Sequence, residues 1–440
     1  MSAPSGGEVD VHDLVGVGFG PSNLALAVAV SEHNARVGTS GAVRARFVER
    51  QREFGWHRGM LIDDATMQVS FLKDLVTLRN PASDFSFLSY LHQRDRLVDF
   101  INHKTLFPLR VEFHDYLRWA ADRVSPVVDY GHEVVAVEPA AEGTCVDVVV
   151  RAAGSAAPVR HRTRNLVIGT GLVPRLPDGV VRTDRVWHTS ELLPRIAERA
   201  GTAPSRFVVV GAGQSAAEAV AHLHREFPRA EVCAVFSRYG YSPADDSAFA
   251  NRIFDPEAVG LFHAAPEEVK EMLLRYHGNT NYSVVDTDLI DDLYRRVYRE
   301  KVLGTARLRL FNVARLAEVV DTGSRVRVTV ESSATGATTV LDADALVCST
   351  GYRPMDPGRL LGPAARHCHR DDAGRLVVER DYRVRTGPGL RCGIYLQGGT
   401  EHSHGITSSL LSNTAVRVGE ILRSLLDRRP ARRPYAMAGE

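Results

Sequence analysis

The sequence predicts an α/β protein with two Rossmann-like dinucleotide-binding domains, the first interrupted by the second, and a smaller, mainly helical substrate-binding region. Three observations predict it. A glycine-rich turn joins a strand to an apolar helix at Gly18, the same pattern returns at Gly211, and two Thr-Gly segments each follow a strand, at Thr170 and Thr350. A single glycine-rich turn is weak evidence; the repeat with its paired crossovers is specific.

In "HDLVGVGFGPSNLALAVAV" (His12 to Val30) the turn Gly18-Phe19-Gly20-Pro21-Ser22-Asn23 has the form G-x-G-x-x-N. Gly18 permits the tight turn and Gly20 lets the backbone approach a pyrophosphate. The helix N-terminus then offers free N–H groups and its dipole to the phosphates. Asn23 stands where a third glycine is usual, so helix and strand are expected to pack slightly wider there. The next strand, "ARFVER", ends in Glu49, whose carboxylate suits the ribose hydroxyls of FAD or NAD.

The second turn, Gly211-Ala212-Gly213-Gln214-Ser215-Ala216, lies in "SRFVVVGAGQSAAEAVAHLH" (Ser205 to His224). Its following strand, "AEVCAVFSR", ends in Ser237 and Arg238 instead of an acid. A hydroxyl and a guanidinium suit a ribose 2′-phosphate, which makes this unit NADPH-specific. The segments "NLVIGTGLVPRLP" (Asn165 to Pro177) and "DADALVCSTGYRP" (Asp342 to Pro354) look like the crossovers between two nucleotide domains. The expected organisation is an FAD-binding domain over 10–200 and 346–425 and an NADPH-binding domain over 201–345. The latter includes a helical substrate-binding segment at about 241–300, and 1–9 and 426–440 are expected to be disordered tails.

Composition narrows the function. Apolar residues make up 44% and charged residues 24%, with a formal net charge of +1, so no strong field argues for nucleic acid or an anionic membrane. No apolar run approaches the roughly 18 residues of a membrane span. The five cysteines are scattered without a C-x-x-C pair, which fits a reducing, cytoplasmic setting and excludes a dithiol centre. His402 and His404 have the look of a ligand pair, but nothing completes a metal site and none is expected.

Three kinds of enzyme share this layout. A disulfide reductase needs the missing C-x-x-C, and "DRVWHTSELLP" lacks the Phe-x-Gly start of a Baeyer–Villiger motif. The remaining kind is the amine N-hydroxylating flavin monooxygenase. "MQVSFLKDLVTLRNPASDFSFLSYL", "EFHDYLRWA", "YHGNTNYSVVDTDLI" and "HGITSSLLSNTAVR" resemble the L-ornithine N-monooxygenases of hydroxamate siderophore and related nonribosomal peptide biosynthesis. The resemblance runs from about His12 to Leu425. Lysine-hydroxylating relatives share "FLKDLV", whereas "LRNP" and "NTNYSVVD" favour ornithine.

The resemblance implies roles. Lys73 pairs with the substrate α-carboxylate, and Asn251 bonds the amino-acid head group. Asn281 touches substrate and the nicotinamide end of NADP⁺, and Ser412 closes the substrate pocket. Gln68 neighbours the flavin; with Asn281 it is assigned the catalytic role. FAD is lined by Gly18, Gly20, Pro21, Ser22, Glu49, Trp56, His57, Gln68, Ser409, Leu410 and Leu411. NADPH is held by Gly211, Gly213, Gln214, Ser215, Ser237, Arg238 and Asn281. On residue type alone, Asn251 and Asn281 suit turns, Ser412 suits a bond to its own backbone, and Trp56 suits a core. Many relatives carry Asp where this chain has Ser408, so another group must orient that segment. The implied chemistry is NADPH reduction of FAD, a 4a-hydroperoxyflavin formed with O2, and attack by the neutral amine of L-ornithine. A homotetramer is implied by resemblance only. Hydroxylation of lysine or a diamine, and flavin and NADPH binding without turnover, are the competing readings.

Overall fold

The computed structural model describes residues 10–155 and 157–429. Two five-stranded sheets carry the chain, and every strand pairing within them is parallel. The first contains β1 (Leu14–Val17), β2 (Ala45–Glu49), β3 (Val128–Tyr130) and β4 (Asn165–Ile168). The second contains β5 (Val186–His188), β6 (Arg206–Val210), β7 (Glu231–Val235), β8 (Leu308–Phe311) and β9 (Ala345–Cys348). The chain then returns to the first sheet as β10 (Gly393–Leu396).

The spatial orders are β10-β4-β1-β2-β3 and β5-β9-β6-β7-β8. In each, the glycine turn leaves a strand where the order reverses, the place where doubly wound sheets bind ligands. The strands are near-continuous apolar runs because both faces are covered: every residue of β1 and of β9 is buried.

Helix α1 (Pro21–Gly41) follows the first turn, and each residue from Asn23 to Val30 is buried. An all-round apolar helix is buried on every side; here α1 packs against the sheet, α2 (Arg110–Arg123) and the final long helix. Helix α3 (Gln214–Glu226) opens on the second turn.

The helical segment expected at 241–300 divides into α4 (Pro256–Ala264), α5 (Glu267–His277) and α6 (Thr287–Leu303). Helix α6 packs on α3, whereas α4 packs on Glu401–His404 of the first unit. The last helix, α7 (Thr414–Asp427), lies along α1.

Three boundaries differ from expectation. The second sheet starts at Val186 instead of residue 201, because β5 pairs with β9. It ends at Cys348, beyond 345, because β9 is also the partner of β6. The C-terminal tail expected from 426 starts later: α7 runs to Asp427, and Arg429 donates to the Asp13 carboxylate at 2.7 Å and to the Gly41 carbonyl at 2.9 Å. Residues 1–9 and 430–440 lie outside the described residues.

The two Thr-Gly segments meet. Leu172–Pro174 pairs antiparallel with Tyr352–Pro354, and the Thr350 hydroxyl donates to the Arg175 carbonyl at 2.5 Å. Both crossings between units therefore run through one two-stranded ribbon. Among the described residues, no helix is long and apolar enough to cross a membrane.

Candidate active site

Both glycine turns are built by one backbone solution. Gly18 has φ +80°, and a Cβ there would lie 2.6 Å from the Gly169 carbonyl oxygen. Gly211 has φ +142°, and a Cβ there would lie 2.3 Å from the Ser349 carbonyl oxygen. Each turn thus presses on the backbone of its own Thr-Gly crossover, and only glycine fits. Gly20 has nothing within 4 Å of where a Cβ would be, which leaves its backbone open for close approach.

Asn23 does not widen the packing. Its Nδ2 donates to the Gly18 carbonyl at 2.7 Å and to Val17 at 3.2 Å, and its Oδ1 accepts from Gln397 at 2.8 Å. The room comes from glycines on the strands: a Cβ at Gly169 would lie 2.7 Å from Asn23 Nδ2. Glu49 is buried, and its two oxygens accept the Phe19 amide at 2.6 Å and the Gln51 amide at 2.8 Å. It braces the turn, and each oxygen keeps a second lone pair for a ligand.

A cleft of about 2450 Å³ opens between the units. Its size exceeds the ~300–1,000 Å³ of a single small-ligand pocket and suits more than one ligand. Of the expected site residues, Gly18, Gly20 and Glu49 form a shoulder behind the lining, and all the others reach the cleft. Trp56 and His57 meet edge-to-face at 4.5 Å, with His57 in the left-handed region at φ 51°.

Lys73 is placed by its neighbour. Asp74, 3% exposed, accepts the Val76, Thr77 and Phe87 amides and the Thr77 hydroxyl, which fixes the loop that carries the lysine. Lys73 Nζ lies 5.6 Å from the Phe254 ring centroid. No described side chain hydrogen-bonds it. Burial lowers its pKa, with Asp255 opposing, so the site favours an arriving anion.

Around the same space, Asn251 Nδ2 donates to the Asp246 carbonyl at 2.6 Å, and Asn281 follows the short turn Gly278–Thr280. Ser412 is buried except where it meets the cleft.

Arg79 and Asn80 point away from this space. Arg79, Asn80 and Ser83 converge on Glu32 of α1 at 2.6, 3.1 and 2.5 Å. The "LRNP" stretch therefore fastens the lysine loop to α1.

Sequence reasoning missed a network across the floor of the cleft. Gln68 donates to Asp286 at 2.6 Å, and Gln214 donates to Asp286 at 3.2 Å and to Glu218 at 3.0 Å. Glu218 receives both Arg110 nitrogens at 2.8 and 2.6 Å, with side chains 6% and 9% exposed. Burial raises the Asp286 pKa, and the Gln68 bond opposes it. Gln214 is thus held by carboxylates here, while Ser215 is left facing the cleft. The spacing Gln214–Glu218, one helical turn, is the signal that was available.

The second turn's neighbourhood differs in charge. Ser237 and Arg238 end β7 exposed at the cleft. Ser283, at φ 56°, lies with its Cα 3.4 Å from where a Gly213 Cβ would be, so the loop after Asn281 covers this turn.

Two dinucleotide folds facing one cleft, with a cation free of any hydrogen-bonded carboxylate, define a two-nucleotide oxidoreductase architecture with an anion-accepting substrate region. The chain belongs to the L-lysine 6-monooxygenase/L-ornithine 5-monooxygenase family, whose model matches residues 10–354. It is 43% identical over 431 residues to an L-ornithine N(5)-monooxygenase of Burkholderia cepacia, covering 96% of each chain. It is 39% identical over 423 residues to that of Pseudomonas aeruginosa, covering 94% of each. Among solved structures, the Kutzneria sp. 744 ornithine N-hydroxylase, described with reduced FAD, NADP⁺ and L-ornithine, superposes with a TM-score of 0.92. The two are 50% identical, over 96% of this chain and 100% of that one.

Proposed function

We propose that the chain is an NADPH- and O2-dependent flavin monooxygenase that hydroxylates the side-chain amine of L-ornithine to N5-hydroxyornithine, for a hydroxamate siderophore or related peptide. FAD takes the first glycine turn and NADPH the second. Lys73 carries this reading: an ammonium with no bonded carboxylate stands in a cleft bounded by both turns.

The residues fit both nucleotides. The open face of Gly20 and the start of α1 suit a pyrophosphate, and Glu49 retains acceptor capacity for a ribose. The exposed pair Ser237 and Arg238 suits a 2′-phosphate. Bound FAD, reduced by NADPH, supplies the activation of O2.

The protein's own task is to bind and orient the substrate and to favour its neutral amine. Lys73 holds the substrate carboxylate. The attacking amine must be neutral although its ordinary pKa is about 10.4. Asn251, Asn281 and Ser412 are uncharged, and Asp286, whose carboxyl burial favours the protonated form, is occupied by Gln68. None of these groups therefore offers a free carboxylate to an ammonium at the reacting end.

NADPH oxidation and hydroxylamine formation, followed with ornithine, lysine, putrescine and no amine, test the assignment. Ornithine is expected to give both. Hydroxylamine from lysine or putrescine instead reassigns the substrate, and oxidation without hydroxylamine for every amine overturns the monooxygenase reading.

A cytoplasmic setting accords with five buried free cysteines. The homotetramer rests on the family resemblance, and the exposed row Tyr294, Tyr298 and Val302 on one face of α6 is an apolar surface available for contact between copies. A single-chain mass by light scattering overturns that assembly.

A further inference from the structure

Behind the first glycine turn lies a wholly buried guanidinium with no carboxylate bonded to it. Arg417, on the first turn of α7, is 2% exposed. Nη1 donates to the Ser408 carbonyl at 2.6 Å and to Thr407 at 3.5 Å. Nη2 donates to Thr414 Oγ1 at 3.1 Å and to Ser22 Oγ at 3.2 Å. Its Nε is buried without a partner. Glu420, one turn along α7, has both oxygens on Arg380, at 2.8 and 2.9 Å. Arginine keeps its charge in proteins, and a buried charge without a counter-charge is unfavourable.

Two further details bear on what completes this charge. Ser408 Oγ is itself buried and unpartnered. Ser408, whose carbonyl accepts from Nη1, offers that guanidinium no side-chain charge. Ser22 Oγ, meanwhile, already accepts from Arg417, so its own proton is directed elsewhere. Ser22 lines the cleft at the start of α1.

We propose that Arg417 is a positioning residue for the pyrophosphate of the first dinucleotide: it fixes the Ser22 hydroxyl as a donor into the cleft, and the phosphate charge at the start of α1 completes its own. The inference rests on FAD occupying the first turn. It adds a residue that touches neither flavin ring nor substrate, yet sets phosphate affinity. Arg417 also ties the Thr407–Ser408 backbone, just ahead of Ser409 to Ser412, to the glycine turn.

The test titrates FAD and riboflavin, which has no phosphate, into flavin-stripped wild type, R417M, R417K and S408D, and records thermal melting of each flavin-free chain. Wild type that fails to bind FAD overturns the FAD reading before any variant is compared. R417M is expected to weaken FAD about tenfold or more, the effect of one charge-assisted bond, and to weaken riboflavin distinctly less, with any loss in flavin-free melting shared by both flavins. R417K, which keeps the charge, is expected to recover part of that loss. Equal weakening of FAD and riboflavin shows a merely structural role and overturns the proposal, as does unchanged FAD affinity in R417M. Where R417M does not fold, S408D decides: its carboxylate takes up the guanidinium charge, so FAD weakens and riboflavin does not. Unchanged FAD affinity in S408D then overturns the proposal.

Discussion

The two glycine turns share a backbone and differ in almost everything attached to it. In both, the first glycine donates its amide to the neighbouring strand, Gly18 to Val48 at 2.8 Å and Gly211 to Val235 at 3.0 Å. Both abut a Thr-Gly crossover. The first turn is then braced by buried side chains: Glu49 on the Phe19 amide, Asn23 under the strand, Gln397 and Arg417 behind. The second has an exposed Arg238 and a Gln214 tied to Asp286. The difference teaches that topology fixes where a dinucleotide sits, while side chains decide how it is held. The first turn is braced by buried side chains, whereas beside the second Gln214 is held by carboxylates and Arg238 is exposed.

The seam between the turns is the most sensitive place to break this arrangement. Arg110 belongs to the first unit and Glu218 to the second, and their pair is buried. E218A leaves the guanidinium with only the Met60 and Thr66 carbonyls, and is expected to lose about 3–5 kcal/mol in urea unfolding. E218Q, which keeps a hydrogen-bonding amide, is expected to lose less. Equal, small losses for both would mean that this pair does little to hold the units together.

Lys73 tests whether such bracing extends to the substrate. K73A is expected to raise the KM for ornithine about 10- to 100-fold, the value of a hydrogen bond to a charged group, with a smaller change in NADPH oxidation without substrate. Unchanged ornithine affinity removes Lys73 from the carboxylate role.

How far the sequence foretold this can be read from single residues. The turns and crossovers were legible because glycine at Gly18 and Gly211 answers a purely local demand of backbone geometry. Lys73 was legible through its motif. Arg110, Glu218 and Asp286 were not, since three segments far apart in the sequence meet only in the fold. "LRNP" was legible as a family mark, but its purpose, anchoring to Glu32, depends on where α1 lies. That the second sheet reaches outside 201–345 was not legible, because β5 and β9 lie outside or across those bounds and pair only in the fold.

The braced first region should also be the acid-sensitive one. His404 is 1% exposed, stacked on Tyr382 at 4.1 Å, and faces His263, Arg380 and Arg417. Burial, chiefly, lowers its pKa to about 3 from 6.5. The unfolded chain then binds a proton that the folded one refuses, so this stability is complete above pH 6.5 and is lost as pH falls toward 3. By pH 5 the loss is about 2 kcal/mol. H404F keeps a ring on Tyr382 without the titration. The unfolding free-energy difference between wild type and H404F should therefore shift by that amount between pH 7 and pH 5. A constant difference would show that His404 titrates normally.

The smallest expected effect belongs to the open second turn. Arg238 is exposed and its side chain makes no ion pair among the described residues, and its carbonyl, which accepts from the Val313 amide, is kept in R238A. R238A is expected to melt with wild type. Against a 2′-phosphate, however, it loses a charge-assisted bond, so the preference for NADPH over NADH should fall about tenfold while the NADH rate stays level. S237A, removing a neutral donor, should produce a smaller fall in the same ratio. If R238A weakened both nucleotides alike, Arg238 would be acting on the shared pyrophosphate. The two turns would then differ less in chemistry than their strand ends suggest.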